Sequence, residues 1–241
     1  YGPPNVLQLK EVEKPIPKDN EILVKVKATT VTVADIRARS FNVPRSVWFF
    51  ARIALGIKKP KKEVLGMELA GEVESIGKDV KRFKVGDQVF AATLKDFGAY
   101  AEYKCLPEDG PISIMPKDMS FEKAAAIPIG GRTALFHLRK ANIQPGQKVL
   151  VYGASGSVGS YAVQIAKHLG ANVTAVCSTK NLELVNFLGA NRAIDYTTVD
   201  FSAIGDKYDV IFEAVGKSSF SACMKSLTKN GTYINIANPL P

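Results

Sequence analysis

Up to about residue 120 the apolar positions fall at a strand's spacing. Beyond it they gather in runs that alternate between strand and helix. In residues 21–28, Ile22, Val24 and Val26 line one side and Lys25 and Lys27 the other, the pattern of a half-buried strand. Residues 66–77 form a second strand region punctuated by Gly66, Gly71 and Gly77. Residues 83–90 read as a turn plus a strand, and residues 99–103 alternate again. Short strands parted by Gly and Pro turns predict a partly open β-barrel. Ser120 then caps a helix over 120–126, with Lys123 where a capping box carries an acid. Pro128 ends that helix, and a second one spans 133–141.

From residue 149 the rhythm changes. Val149 to Val151 is a short apolar run, as in a buried parallel strand. A helix comes next over 157–169, stopped by Gly170, then a strand over 172–178. Asn181 caps a helix through Leu188, ended by Gly189. Strands are predicted at 192–196, 208–215 and 231–237, with a helix over 218–227 between the last two. Regular alternation of this kind predicts an α/β fold with a doubly wound parallel sheet. The domain expectation is 1–115 for the barrel and 116–241 for the sheet.

Between the first strand and helix of that sheet stands Gly153-Ala154-Ser155-Gly156-Ser157-Val158-Gly159. It matches the dinucleotide fingerprint G-x-G-x-x-G with Ala154 in the first glycine's place. Gly156 and Gly159 permit a tight turn and close approach to a diphosphate. The helix that begins at Ser157 turns free N–H groups toward the anion. The end of the next strand chooses the nucleotide. NAD binders place an acid there for the ribose hydroxyls; this chain has Cys177-Ser178-Thr179-Lys180. Hydroxyls and an ammonium attract a 2′-phosphate that a carboxylate would repel. Tyr196, ending the third strand, adds a phenol. The expectation is NADP(H) rather than NAD(H).

The chain has 241 residues, 46% of them hydrophobic, enough to build a core, and a net charge of +9. A basic surface suits an anionic cofactor. No aromatic–basic recognition module is present, so nucleic acid is not an expected partner. Three well-separated cysteines (Cys105, Cys177, Cys223) argue for reduced thiols and a cytoplasmic location. Neither a signal peptide nor a spanning helix is predicted. The chain opens without Met and stops just after its fifth sheet strand, so it reads as a piece of a longer protein. The apolar stretch 44–57, which runs into Lys58-Lys59-Pro60-Lys61-Lys62, is open to three readings. It could pack on the barrel, cap a substrate cleft, or dip into a membrane interface; membrane contact is not the expected one.

Several segments keep a familiar order and spacing over nearly all of the chain. They are Gly66-Met67-Glu68-Leu69-Ala70-Gly71 with Gly77, Gly86-Asp87 with Val89, and Gly98-Ala99-Tyr100-Ala101-Glu102. Ile127-Pro128, Thr133-Ala134, the 153–159 loop and Gly170-Ala171 continue the series. Together they resemble the medium-chain dehydrogenase/reductase superfamily, in the zinc-free quinone oxidoreductase and enone reductase group related to zeta-crystallin. The resemblance implies a GroES-like partly open barrel, here without its C-terminal return segment, and a Rossmann domain without its last strand. It implies that Thr133, Gly153, Ala154, Ser155, Gly156, Ser157, Val158, Gly159, Ser178, Lys180, Tyr196, Val215 and Gly216 bind the cofactor.

Departures from the zinc enzymes matter as much. Met67 stands where they carry a His ligand, Val33-Ala34-Asp35 where they carry a catalytic Cys, and no Cys falls in 93–98. His137 and His168 sit on predicted helices without partner ligands. No zinc is expected. In the quinone reductase group an Asn-x-x-Asp-x-x-x-Arg stretch lines the active site. Here Thr32, Asp35 and Arg39 match it with Thr for Asn, and become candidates for the pocket wall. Asp35 could equally be structural, in a salt bridge with Arg39. Phe41-Asn42-Val43 supplies no tyrosine, so no proton donor carries over. The resemblance therefore implies an NADPH-dependent, zinc-independent reductase of quinones or α,β-unsaturated carbonyls, a homodimer at full length. Three alternatives remain: a zinc-free alcohol or aldehyde reductase, a non-catalytic NADPH-binding regulator, and a folded fragment with no complete site.

Overall fold

In the computed structural model, which describes residues 1–43 and 48–237, the chain forms two compact units, Tyr1–Ile129 and Gly130–Pro241. Residues 44–47 of the apolar stretch lie outside the described residues.

The first unit is built on one antiparallel sheet of five strands, in the order β4-β1-β2-β3-β5. These are β1 (Glu21–Thr29), β2 (Glu68–Ile76), β3 (Gln88–Ala92), β4 (Tyr103–Pro107) and β5 (Ile112–Ile114). The predicted alternation is what buries: Ile22 and Val24 of β1 close on Leu69 and Val73 of β2 and Val89 of β3, all fully buried. The sheet curls without closing. A cavity of about 660 Å³ opens along the seam between β4 and β5, lined by Leu106, Pro107 and Ile112.

Two sequence expectations change here. Residues 99–102 are not a strand. The N–H groups of Gly98, Ala99 and Tyr100 donate to the carbonyls of Leu65 and Gly66 at 2.9–3.1 Å, which holds the segment as a loop until β4 begins at Tyr103. Pro128 does not stop a helix; it starts one. After α3 (Phe121–Ala125), Pro128 is the first residue of α4 (Pro128–Lys140), where its missing N–H costs nothing. The compact first unit ends at Ile129, with α3 burying Ala124 and Ala125 against Ala70 and Met115.

The second unit is a parallel sheet in the order β10-β9-β6-β7-β8. Its strands are β6 (Lys148–Tyr152), β7 (Asn172–Cys177), β8 (Arg192–Asp195), β9 (Tyr208–Glu213) and β10 (Leu227–Asn235). The first strand of this unit, β6, is central, so the direction of winding reverses beside it. The crevice at the carboxyl ends there is where open α/β sheets bind ligands. Val149, Leu150 and Val151 are fully buried because both faces are covered. Val149 and Val151 pack toward α4 and α5 (Ser157–His168), Leu150 toward Ile211 and Cys223. The helices α6 (Leu182–Phe187) and α7 (Phe220–Ser226) complete the winding. Among the described residues no helix is long and apolar enough to cross a membrane.

Candidate functional site

The glycine loop leaves β6 in a turn that Gly153, not residue 154, makes possible. Gly153 has φ +79°, and a Cβ on it would stand 2.1 Å from Val215 Cγ2. Ala154 can therefore occupy the motif's first glycine position, fully buried, with its N–H and that of Gly153 both donating to Val176 O at 3.0 Å. Gly159 is excluded from carrying a side chain for another reason: a Cβ there would meet Gly153 O at 2.1 Å, as α5 presses onto the strand end.

Gly156 is different. Its backbone is ordinary (φ −77°, ψ 169°), and a Cβ would have one neighbour, Gly153 O, at a comfortable 3.4 Å. Nothing inside the protein requires glycine there. It is the N-cap of α5, and no side chain caps that terminus. An open, uncapped helix start fronted by a glycine that the fold does not need is the shape a diphosphate fills. On this observation the residues fit a dinucleotide.

The strand ends bring Ser178, Lys180 and Tyr196 to one edge. Cys177 and Asp195 are paired across β7 and β8, and Tyr196 N–H donates to Cys177 O at 3.1 Å. Lys180 is exposed, in the 3-10 turn Thr179–Asn181. Tyr196 is half exposed, its ring 6.4 Å from that of Tyr152. Asn181 is the N-cap residue of α6, but its side chain makes no bond to the helix. Its amide instead donates to Ser155 Oγ at 3.0 Å and Ser178 Oγ at 3.2 Å, tying the glycine loop to the end of β7. An acid stands near this edge after all, on the third strand of the sequence rather than the second. Asp195 accepts from the hydroxyls of Thr179 and Thr197 at 2.5 and 2.7 Å. Those bonds, Thr179's first, hold its carboxyl below the usual range.

Val215 and Gly216 owe their place to a residue that no sequence motif singled out. Glu213, fully buried at the end of β9, accepts from Val215 N–H at 3.0 Å and from Gly216 N–H at 2.5 Å. Its carboxylate shapes the loop that covers Gly153. Thr133 is half-buried on α4, whose Ala134 and Leu138 enter the core of the second unit.

In the first unit Thr32, Asp35 and Arg39 lie in or beside α1 (Val33–Ser40), with different duties. Thr32 and Asp35 form a capping box: Asp35 N–H donates to Thr32 Oγ1 at 3.2 Å, and Thr32 N–H and Oγ1–H donate to Asp35 Oδ2 at 2.9 and 2.6 Å. The other oxygen of Asp35 accepts from Gly66 N–H at 3.0 Å. Arg39 does not pair with Asp35; its Nε donates to Gly2 O at 3.2 Å. The hydrogen bonds of Asp35 run to the start of α1 and to Gly66, and the salt bridge with Arg39 is not formed. The spacing Thr-x-x-Asp was the signal for the capping box.

Two further groups gather nearby. Glu68 of the Gly-Met-Glu segment is buried and accepts from Thr30 Oγ1 at 2.5 Å and from Ile129 N–H, at the start of α4, at 2.6 Å. Tyr100 has its hydroxyl buried beside the Asp35 carboxylate. Burial pushes that phenol up to about 12; the Asp35 carboxylate adds to the shift and Arg39 opposes it. Because the folded state holds the proton more tightly, Tyr100 contributes stability that is complete below about pH 10 and lost as pH rises toward 12. Tyr100→Phe is expected to lose that pH-dependent contribution. It should show a smaller fall in Tm between pH 10 and 12; an unchanged fall would remove Tyr100 as its source.

Among the described residues no three His, Cys, Asp or Glu side chains gather as a metal-holding group. His168 is exposed in the last turn of α5, and His137 lies edge-on to Phe136 at 5.1 Å.

Two family models match the chain: zinc-binding dehydrogenase over residues 157–241, and alcohol dehydrogenase GroES-like domain over residues 18–117. The chain is 36% identical to 2-methylene-furan-3-one reductase of Solanum lycopersicum, over 97% of its own length and 59% of that protein's. It is 34% identical to quinone oxidoreductase of Sus scrofa, over 100% of its own length and 72% of that protein's. The solved structure of Escherichia coli quinone oxidoreductase complexed with NADPH is similar with a TM-score of 0.82 and 30% identity. That match covers 99% of this chain and 71% of the other. The chain thus spans less than two thirds of the Solanum protein.

Proposed function

The chain belongs to the medium-chain dehydrogenase/reductase superfamily, in its zeta-crystallin-like quinone oxidoreductase group, and from that premise we propose an NADPH-dependent, zinc-independent oxidoreductase acting on quinones or α,β-unsaturated carbonyls. The observation that carries the cofactor half is Gly156, a glycine that only an outside ligand needs. The names of the relatives, a furanone reductase and quinone oxidoreductases, support the substrate class. Bound NADPH supplies the hydride; the chain's residues bind and orient. Gly156 to Gly159 and the first turn of α5 hold the diphosphate. Ser178 and Lys180, with Tyr196, hold the 2′-phosphate. Glu213 keeps Val215 and Gly216 against the ribose.

The donor set does not suit zinc. Met67 offers a thioether at the usual histidine position, and Asp35 is spent on α1 and Gly66. Thr32 and Asp35, committed to each other, position the Gly66 loop rather than face a substrate. Protons for the product come from water in this reading. The resemblance further supports a homodimer at full length. The three free thiols fit a reducing compartment such as the cytoplasm.

Lys180→Ala tests the nucleotide preference. It should weaken NADPH about tenfold, the worth of one charge-assisted contact, and leave NADH unchanged. Equal losses for both nucleotides would place Lys180 outside the phosphate site. Turnover is then measured as NADPH oxidation against quinones, alkenals, enones and simple aldehydes. Turnover confined to aldehydes would favour the alcohol or aldehyde reductase alternative, and NADPH binding without any turnover would favour a regulator.

A further inference from the structure

The helix α2 (Trp48–Leu55) has two faces with opposite fates. Arg52 points inward among three aromatic rings: its guanidinium lies 4.0 Å from the Phe41 centroid, 4.6 Å from Tyr1 and 5.2 Å from Trp48. The other face is bare. Phe49, Phe50 and Ile53 are 64%, 72% and 50% exposed, and at 3.6 residues per turn they fall within one arc of about 100°. Ile57, just past the helix, is 70% exposed. The face does not pack on the barrel.

The loop after α2 folds back on the helix end and brings the lysines beside that face. Gly56 turns at φ +123°, and a Cβ there would strike Lys59 O at 2.0 Å. Lys61 N–H donates to Leu55 O at 2.8 Å, and Lys61 Nζ donates to Ile53 O at 2.8 Å. Arg52 Nη1 donates to Ile57 O at 2.9 Å. Lys58, Lys59, Lys61 and Lys62 are all exposed. Lys59 pairs with Glu63, and Lys62 lies 3.7 Å from Asp96. Lys58 and Lys61 face no carboxylate at ion-pair distance among the described residues.

We propose that this face, Phe49, Phe50, Ile53 and Ile57 rimmed by the lysine loop, docks on an anionic lipid surface. The apolar arc would enter the headgroup region while the ammonium groups meet lipid phosphates. The lysines decide the occupant. A second copy meeting this face through a two-fold axis would set lysine against lysine. A neutral partner would leave those charges unanswered. The proposal goes beyond the reductase reading and does not depend on turnover.

The test is flotation of the full-length chain with phosphatidylcholine vesicles, with and without phosphatidylglycerol. The expected result is binding to the anionic vesicles only, weakened by high salt. Lys58→Gln and Lys62→Gln should each weaken it about fivefold. Phe49→Ser with Phe50→Ser should abolish it while circular dichroism and Tm stay at parent values. If that double variant misfolds, Phe50→Ser alone and the lysine variants still decide. Failure of the parent to float, flotation indifferent to lipid charge, or flotation unchanged in the variants would each overturn the proposal. So would a parent that fails to float but self-associates through Phe49 and Phe50.

Discussion

Gly156→Ala should leave the protein as stable as the parent and cut its NADPH affinity by about 10- to 100-fold, the worth of one lost charge-assisted hydrogen bond. The two halves of that result have separate causes. The backbone at Gly156 is a conformation that alanine adopts freely, and its added methyl finds only Gly153 O at 3.4 Å. Stability is therefore unaffected. The methyl would, however, stand over the uncapped first turn of α5, where the diphosphate oxygens must come within hydrogen-bonding distance. Gly159→Ala is the contrasting control. Its methyl is driven to 2.1 Å from Gly153 O, so it should lower Tm itself, by overpacking worth about 1–3 kcal/mol. Thermal melts and calorimetric titration with NADPH read both effects. Parent-like NADPH binding in Gly156→Ala would mean that this loop does not cradle the diphosphate.

Glu213→Ala should be the most destabilising single change in the second unit, at about 3–5 kcal/mol. It removes the carboxylate that accepts from the part-buried N–H groups of Val215 and Gly216, and opens a cavity at a fully buried site. Glu213→Gln keeps one acceptor and should cost about half as much. Both variants also free Val215 from its seat over Gly153, so NADPH affinity should fall in step with stability. Denaturant unfolding measures the first and titration the second. A Glu213→Ala protein with parent stability would show that the loop holds itself by other means.

The second unit was legible in the sequence because its signals are local and redundant. Three consecutive buried positions at Val149 to Val151, a glycine turn and a helix succeed each other without interruption, and each predicts the next. The first unit was legible only in outline. Strand β5 has three residues, too few for any period to register. Residues 99–102 alternate like a strand, yet the N–H groups of Ala99 and Tyr100 go to Gly66 and Leu65, residues distant in sequence. Pro128 could be read as a stop or a start, and the deciding partner, Glu68, sits far upstream. The site divides in the same way. The phosphate-binding candidates stood in two short stretches, 153–159 and 178–180, plus Tyr196. The roles of Asn181 and Glu213 depend on which loops meet, and the capping box of Thr32 and Asp35 lay unread in a stretch taken for its likeness to a pocket wall.

The glycine loop sorts its own positions by owner. Gly153 and Gly159 are held by the fold, since a side chain at either would strike Val215 or Gly153 O within 2.1 Å; Glu213 belongs with them. In the reading proposed above, Gly156, Lys180 and Tyr196 answer to the nucleotide, and Ser178 serves both, since its Oγ also accepts from Asn181. Re-engineering the chain toward a different dinucleotide can therefore draw its library from the second set. Mutating the first set would spend most of that library on proteins that never fold.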